Sequence, residues 1–215
     1  MATAMKLSEI LKPMRAEIEN DDGVREKVLP MSRSAVRKCS EAIKETHRGN
    51  FDSAEKLLSE AHEITDQAMA EMRESDFVSR TKSMDIAYQE LAEAANLLSL
   101  LRDGAFTPPE KFEIPSRPYL TGLADTVGEL RRAVLDTLRE ERVDSAVNLL
   151  GFMEEILDEL HTFDFPNALV PELRRKCDVA RSIIERTRGD ITSAIQQSKL
   201  VEELRGFEDR LRGNQ

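Results

Sequence analysis

A chain of 215 residues, 40% of them hydrophobic, is long enough for one large domain or two small ones around a sizeable core. Few aromatics (5%), no Trp, nine Gly and eight Pro disfavour β-sandwiches, barrels, collagen-like and disordered chains, and favour helices. With 31 basic against 41 acidic residues the net charge is −10, which argues against a general nucleic-acid coat protein but leaves room for a local basic surface or a carboxylate cluster that holds a cation.

Helical periodicity then runs from end to end. Ile18, Val24, Val28, Met31, Ala35, Val36, Cys39 and Ile43 predict a first helix from about Arg15 to His47, with Pro30 expected to kink or divide it. Gly49-Asn50 closes it, and a second helix from Phe51 carries Ala54, Leu57, Leu58, Ala61, Ile64, Ala68 and Met72. Ser75-Asp76 caps a third, which the pattern continues through Ile86, Leu91, Ala94 and Leu98 to a stop near Asp103-Gly104. Four prolines make Ala105 to Pro118 a loop. Further helices are expected from about Tyr119 to Arg139 and from about Asp144 to Leu160. After a break at Phe163 to Pro166, one long or two abutting helices run from Pro171 to about Leu211.

The expected fold class is therefore all-α, a bundle of six or seven long antiparallel helices in a single domain over 1–215, with 1–14 as a flexible or separately packed leading segment. The longest apolar run, Leu97 to Leu101, is far short of a membrane span, and no apolar block follows Met1 to Lys6. Two cysteines, Cys39 and Cys177, suit a reducing, cytoplasmic setting and cannot build a disulfide framework.

Most acidic residues read as solvated faces. Two pairs stand apart. Glu90 and Glu93 are spaced i,i+3 in a run without Lys or Arg from Ala92 to Leu101, and Asp125 and Glu129 are spaced i,i+4 in an apolar stretch. Four carboxylates converging from two facing helices would repel unless a divalent cation sat among them. Mg²⁺, Mn²⁺ or Ca²⁺ prefers such hard oxygen ligands, and bound Mg²⁺ or Mn²⁺ activates water and stabilises charge developing on a phosphate. The plainer reading is that acid pairs arise by chance in so acidic a chain, with Asp125 serving a helix dipole and Glu129 pairing with Arg131 or Arg132. Gly122 and Gly128, costly inside a helix, suggest that another backbone or a substrate approaches closely there.

The run Tyr119-Leu120-Thr121-Gly122-Leu123-Ala124-Asp125-Thr126-Val127-Gly128-Glu129-Leu130-Arg131-Arg132 closely resembles a conserved stretch of the translin family, nearer to its translin-associated factor X (TRAX) branch than to translin itself. Gln89-Glu90-Leu91-Ala92-Glu93-Ala94 resembles the TRAX segment with two glutamates so arranged, and Ser32-Arg33 and His47-Arg48 are weaker echoes. The resemblance implies an all-helical fold and a closed, barrel-like octamer that encloses RNA. It implies Mg²⁺-dependent cutting of single-stranded RNA, with the catalytic, metal-holding acids falling on Glu90, Glu93, Asp125 and Glu129. Translin itself departs at the position of Asp125 and binds nucleic acid without supplying the catalytic set.

RNA would also need cations. Arg33, Arg37 and Lys38 on the first helix, Lys82, and Arg131 with Arg132 after the second acid pair are the candidates, unless they merely pair with Glu41, Glu45 and Asp136. Arg174-Arg175-Lys176 reads as a surface charge run. His47, His62 and His161 lack metal-ligand spacing and read as surface or capping residues; Cys39 and Cys177 read as small apolar groups. The first expectation is an Mg²⁺- (or Mn²⁺-) dependent endoribonuclease acting on single-stranded RNA. It is expected as a homo-oligomer, an octamer, or as a hetero-oligomer with a translin-like chain. The alternatives are a translin-like protein that binds single-stranded RNA or DNA without cutting it, and a helical scaffold.

Overall fold

The computed structural model describes residues 6–213. Among them lie seven α-helices, one 3-10 turn and no strand: α1 (Leu7–His47), α2 (Phe51–Met72), α3 (Asp76–Ser79), α4 (Asp85–Asp103), the turn Pro109–Phe112, α5 (Ser116–Arg139), α6 (Val143–His161) and α7 (Leu173–Gly213). The all-α class expected from composition is the one observed. Of the expected leading segment 1–14, residues 1–5 lie outside the described residues, and Leu7 onward already belongs to α1. No described helix is long and apolar enough to cross a membrane. The chain divides into two compact units, residues 1–122 and 123–215, with α5 beginning in the first and continuing in the second.

In the first unit α1 packs along α2, and both pack on α4. The buried stripes explain the pairing. α1 buries Val24, Val28, Ser32, Ala35, Cys39, Ala42, Ile43 and Thr46, and α2 buries Ala54, Leu58, Ala61, Thr65, Ala68 and Met72, stripes that recur every three or four residues. Small residues on both seams let the two helices approach closely along their length. Neither Pro13 nor Pro30 divides α1, contrary to one of the two outcomes expected for Pro30. Pro30 lies on the exposed face, and Val28 and Ser32 beside it are buried, so packing offsets the lost backbone bond.

The third expected helix is in fact two. After α3 the Thr81 hydroxyl donates to the Val78 carbonyl at 2.7 Å and lies 2.6 Å from the Ser83 hydroxyl. These local bonds compete with helix continuation and reset the register. Ile86, expected on the buried stripe, is consequently exposed. The Ser75 cap is present: its hydroxyl accepts from Val78 N–H at 3.0 Å and donates to Asp21 Oδ1 at 2.6 Å. Ser75→Ala, which loses both bonds at a buried site, is expected to destabilise the chain by about 1–2 kcal/mol, read as a lower urea midpoint with an unchanged m-value.

α4 is the interior helix of this unit, burying Ala87, Tyr88, Leu91, Ala92, Ala94, Ala95, Asn96, Leu97, Leu98 and Leu100. It ends at Gly104, whose φ of +68° is the left-handed cap that glycine adopts without strain. The proline-rich segment that follows is pinned to α4 rather than loose. Buried Asn96 donates to the Ala92 carbonyl at 2.8 Å and accepts from Thr107 N–H at 3.1 Å, and the Tyr119 hydroxyl donates to the Thr107 carbonyl at 2.6 Å.

In the second unit α6 packs on α7. α6 buries Ala146, Leu149, Leu150, Met153, Ile156, Leu157 and Leu160; α7 buries Leu173, Cys177, Ala180, Ile184, Thr187 and Ile191 at alternating steps of four and three. α7 is one continuous helix, which decides between the two sequence readings. Past Ile191 its apolar residues Leu200, Val201, Leu204 and Phe207 are exposed, as are Leu7, Ile10, Leu11, Met14 and Ile18 at the start of α1.

Candidate functional site

Glu90 and Glu93 sit one turn apart on α4, half-buried beside the apolar residues that this helix buries. They face the Cys39 side of α1: burial, then the charge of Glu90, then that of Glu93, pushes the Cys39 thiol far up. Cys39 is free and fully buried, and packs as a small apolar group. The start of α5 meets this turn of α4 at Gly122. A Cβ there would press into the Gln89 carbonyl oxygen and lie 2.7 Å from Ala92 Cβ and 3.2 Å from Glu93 N. Backbone contact is possible at this point only because residue 122 has no side chain. At Gly128 no other backbone among the described residues approaches; that residue is exposed and a Cβ would meet no protein atom within 4 Å.

Within the second unit Asp125 and Glu129 lie one turn apart on α5, with side chains 28% and 27% exposed. Asp125 is tightly engaged: both carboxylate oxygens accept from Lys176 Nζ of α7 at 2.6 Å. Glu129 stands 3.9 Å from the Arg132 guanidinium, as the plainer sequence reading anticipated. Four carboxylates are chemically suited to a hard divalent cation. As the side chains lie, however, no three His, Cys, Asp or Glu among the described residues are close enough together to hold a metal ion. At Asp125 the nearest charged group among the printed contacts is instead the Lys176 ammonium, against both carboxylate oxygens.

The basic candidates divide into two sets. Arg33, Arg37, Lys82 and Arg132 are exposed. Lys38 is held by Glu60 of α2 at 2.7 Å, a bond that raises the lysine and lowers the glutamate. Arg131 donates to the Thr187 hydroxyl at 2.8 Å and lies 2.9 Å from Asp190, both on α7. The pairing partners differ from those expected: Glu45 binds Arg48 and Asn50, and Asp136 binds Arg139. His62 is not a surface residue but half-buried, with its ring edge-on to Phe112 at 5.6 Å.

Lys176 is the residue that sequence reasoning missed. Arg174 and Arg175 are surface charges paired locally with Asp164 and Glu172, as a charge run predicts. Lys176 is not; its side chain is only 15% exposed. The signal was its register, three residues after Leu173 and four before Ala180 on the stripe that α7 buries.

From Val24 to Arg188 the sequence matches the translin family. The chain belongs to the translin family. An uncharacterized protein of Methanocaldococcus jannaschii is 32% identical over 189 residues, covering 87% of this chain and 84% of that one. Among solved structures, AfC3PO is 35% identical and covers 87% of this chain and 97% of its own, with a TM-score of 0.79. The AfC3PO complex with duplex RNA has the same identity and coverage and a TM-score of 0.77. Apo-NeC3PO, 20% identical over 89% of this chain and all of its own, shares the fold with a TM-score of 0.77. Both acid pairs, the basic candidates and Lys176 all fall inside the translin-family span.

Proposed function

We propose that this translin-family chain is a TRAX-like endoribonuclease that cuts single-stranded RNA with Mg²⁺ or Mn²⁺. The supporting observation is the pair of half-buried, two-carboxylate turns on α4 and α5, in a family whose member AfC3PO is found with duplex RNA. In this reading Glu90, Glu93, Asp125 and Glu129 supply the oxygen ligands. Such a cation, when bound, lowers the pKa of water and neutralises charge developing on a phosphate. Arg33, Arg37, Lys82 and Arg132, being exposed, take up RNA phosphates, whereas Lys38 and Arg131 must first exchange their carboxylate partners.

The apolar stripes at the start of α1 and the end of α7 support an oligomer, a homo-octamer or a hetero-oligomer with a translin-like chain. Two free cysteines suit a cytoplasmic setting.

One observation favours a second reading. With Asp125 committed to Lys176, the chain is equally suited to bind single-stranded RNA or DNA without cutting it, as a translin-like module. Cleavage of a labelled single-stranded RNA by the purified protein, with Mg²⁺ and with EDTA, separates the two. The nuclease reading expects metal-dependent cutting that falls roughly 100-fold or more in Glu129→Ala. Equal cutting by that variant, or salt-sensitive binding with no cutting, overturns it.

A further inference from the structure

Within the second unit a groove of about 710 Å³ opens where α6 gives way to α7, a size that suits a small organic ligand. Its floor is apolar, lined by Leu160, Leu173 and Cys177, all buried. The rings of Phe163 and Phe165 also line it, 39% and 54% exposed, their centroids 6.4 Å apart. Exposed rings beside an apolar floor offer a flat surface on which a planar group can stack. The charges of the groove are not all neutralised. Arg174 is bound to Asp164 at 3.1 Å and Arg175 to Glu172 at 2.6 Å. Arg181 differs: its Nη2 lies 3.1 Å from Nε2 of His161, and among the described residues its guanidinium bonds to no carboxylate. Asp178, which also lines the groove, is one turn earlier on α7 and forms no ion pair with it.

A guanidinium only donates, so in this bond Nε2 of His161 accepts and the imidazole is neutral. Arg181 is thus held in place without losing its charge, and its remaining N–H donors are left for an anion. A planar fork of donors matches a phosphate. In a family with a member found on duplex RNA, the ligand that carries both a phosphate and a stacking plane is a nucleotide. We propose that this groove is a nucleotide site, in which Arg181, held by His161, takes a phosphate monoester and the Phe163–Phe165 pair stacks the attached base. The phosphate belongs to a free nucleotide or to the end of an RNA chain. The site lies wholly within one unit, needs no metal and does not rest on the nuclease reading.

The test is calorimetric titration of the full-length protein in EDTA with AMP, adenosine and inorganic phosphate. AMP is expected to bind more tightly than either of its parts. Arg181→Gln should weaken AMP about ten-fold, the size of a lost charge-assisted hydrogen bond, and leave adenosine unchanged. Replacing Phe163 and Phe165 together by Ala should weaken AMP and adenosine several-fold and leave phosphate unchanged. Arg186 is an exposed arginine of the same helix that donates to the Ser182 carbonyl and does not line the groove. Arg186→Gln should bind AMP like the parent.

Short 2′-O-methyl oligoribonucleotides with a phosphate at the 5′ end, at the 3′ end or at neither tell the two sources apart. An RNA end predicts that one phosphorylated form binds more tightly than the unphosphorylated one, and that Arg181→Gln removes the difference. A free nucleotide predicts equal binding of all three forms beside a tighter AMP. The parent's comparison needs no variant, and Arg181 is exposed, so its loss leaves the core intact. Unchanged AMP affinity in Arg181→Gln overturns the proposal. So does an equal loss in Arg186→Gln, which would show that diffuse charge alone attracts the nucleotide. A parent that binds neither AMP nor a phosphorylated end in preference to the bare one overturns it as well.

Discussion

Asp125→Ala is expected to abolish metal-dependent RNA cleavage and, separately, to destabilise the second unit by about 1–3 kcal/mol. The stability loss follows from the partner left behind. Lys176 Nζ makes two 2.6 Å bonds to Asp125, and its side chain is 15% exposed, so removing the carboxylate strands a largely buried ammonium. The two losses are separable by a double variant. Asp125→Ala with Lys176→Met removes both charges and leaves no orphan, so urea stability should return most of the way to the parent value. Under the proposed nuclease reading cleavage should not return, because Asp125 is one of the proposed metal ligands. Chemical denaturation and an RNA-cleavage assay on the same four proteins check this. Recovery of cleavage in the double variant would mean that Asp125 braces α5 against α7 and takes no part in the chemistry.

Gly122→Ala and Gly128→Ala are expected to move stability in opposite directions, although both are glycines six residues apart on one helix. At Gly122 a methyl group would press into the Gln89 carbonyl oxygen and lie 2.7 Å from Ala92 Cβ. Neither obstacle is a flexible side-chain tip. The α5 backbone must therefore move off α4, at a cost of about 1–3 kcal/mol, and Val or Leu at this position should cost more. The displacement also carries the turn bearing Glu93, whose backbone nitrogen would lie 3.2 Å from the new Cβ, so activity should fall with stability. At Gly128 the added methyl meets nothing within 4 Å on an exposed helical face. There Ala should stabilise the protein by roughly 0.5–1 kcal/mol through helix propensity and a less disordered unfolded chain. Thermal melts of the two variants beside the parent are sufficient. A stabilising Gly122→Ala would refute the close packing of α5 on α4.

The helical class and most helix ends were legible because they are set by local chemistry. The three-to-four spacing of Val24, Val28, Ala35 and Cys39, the Ser75 cap and the Gly104 stop each act within a turn or two of chain. Two local readings met physical limits. Pro30 suggested a kink or a break in α1; the break is absent, because burial of Val28 and Ser32 on either side holds the helix as one. The apolar pattern through Ile86 suggested a single helix where Thr81 and Ser83 bind locally and interrupt it.

The acid pairs were legible too, as charges standing where the pattern wants apolar side chains. By the same criterion Lys176 could have been found, since it lies beside the buried stripe, three residues after Leu173 and four before Ala180; its two arginine neighbours disguised it as part of a surface run. By itself the sequence determined the helical class, most of the helices and their buried faces, and it marked Glu90, Glu93, Asp125 and Glu129 as acids set among apolar side chains. Those features depend on residue type and on spacing along one helix. Only the tertiary structure decided that Gly122 touches α4 while a Cβ at Gly128 would meet none of the described residues, that Asn96 ties down the proline-rich segment, and that Asp125 is held by a lysine 51 positions away. Such pairings join elements distant in the chain, and no periodicity within a single helix specifies which distant residue fills a given gap or neutralises a given charge.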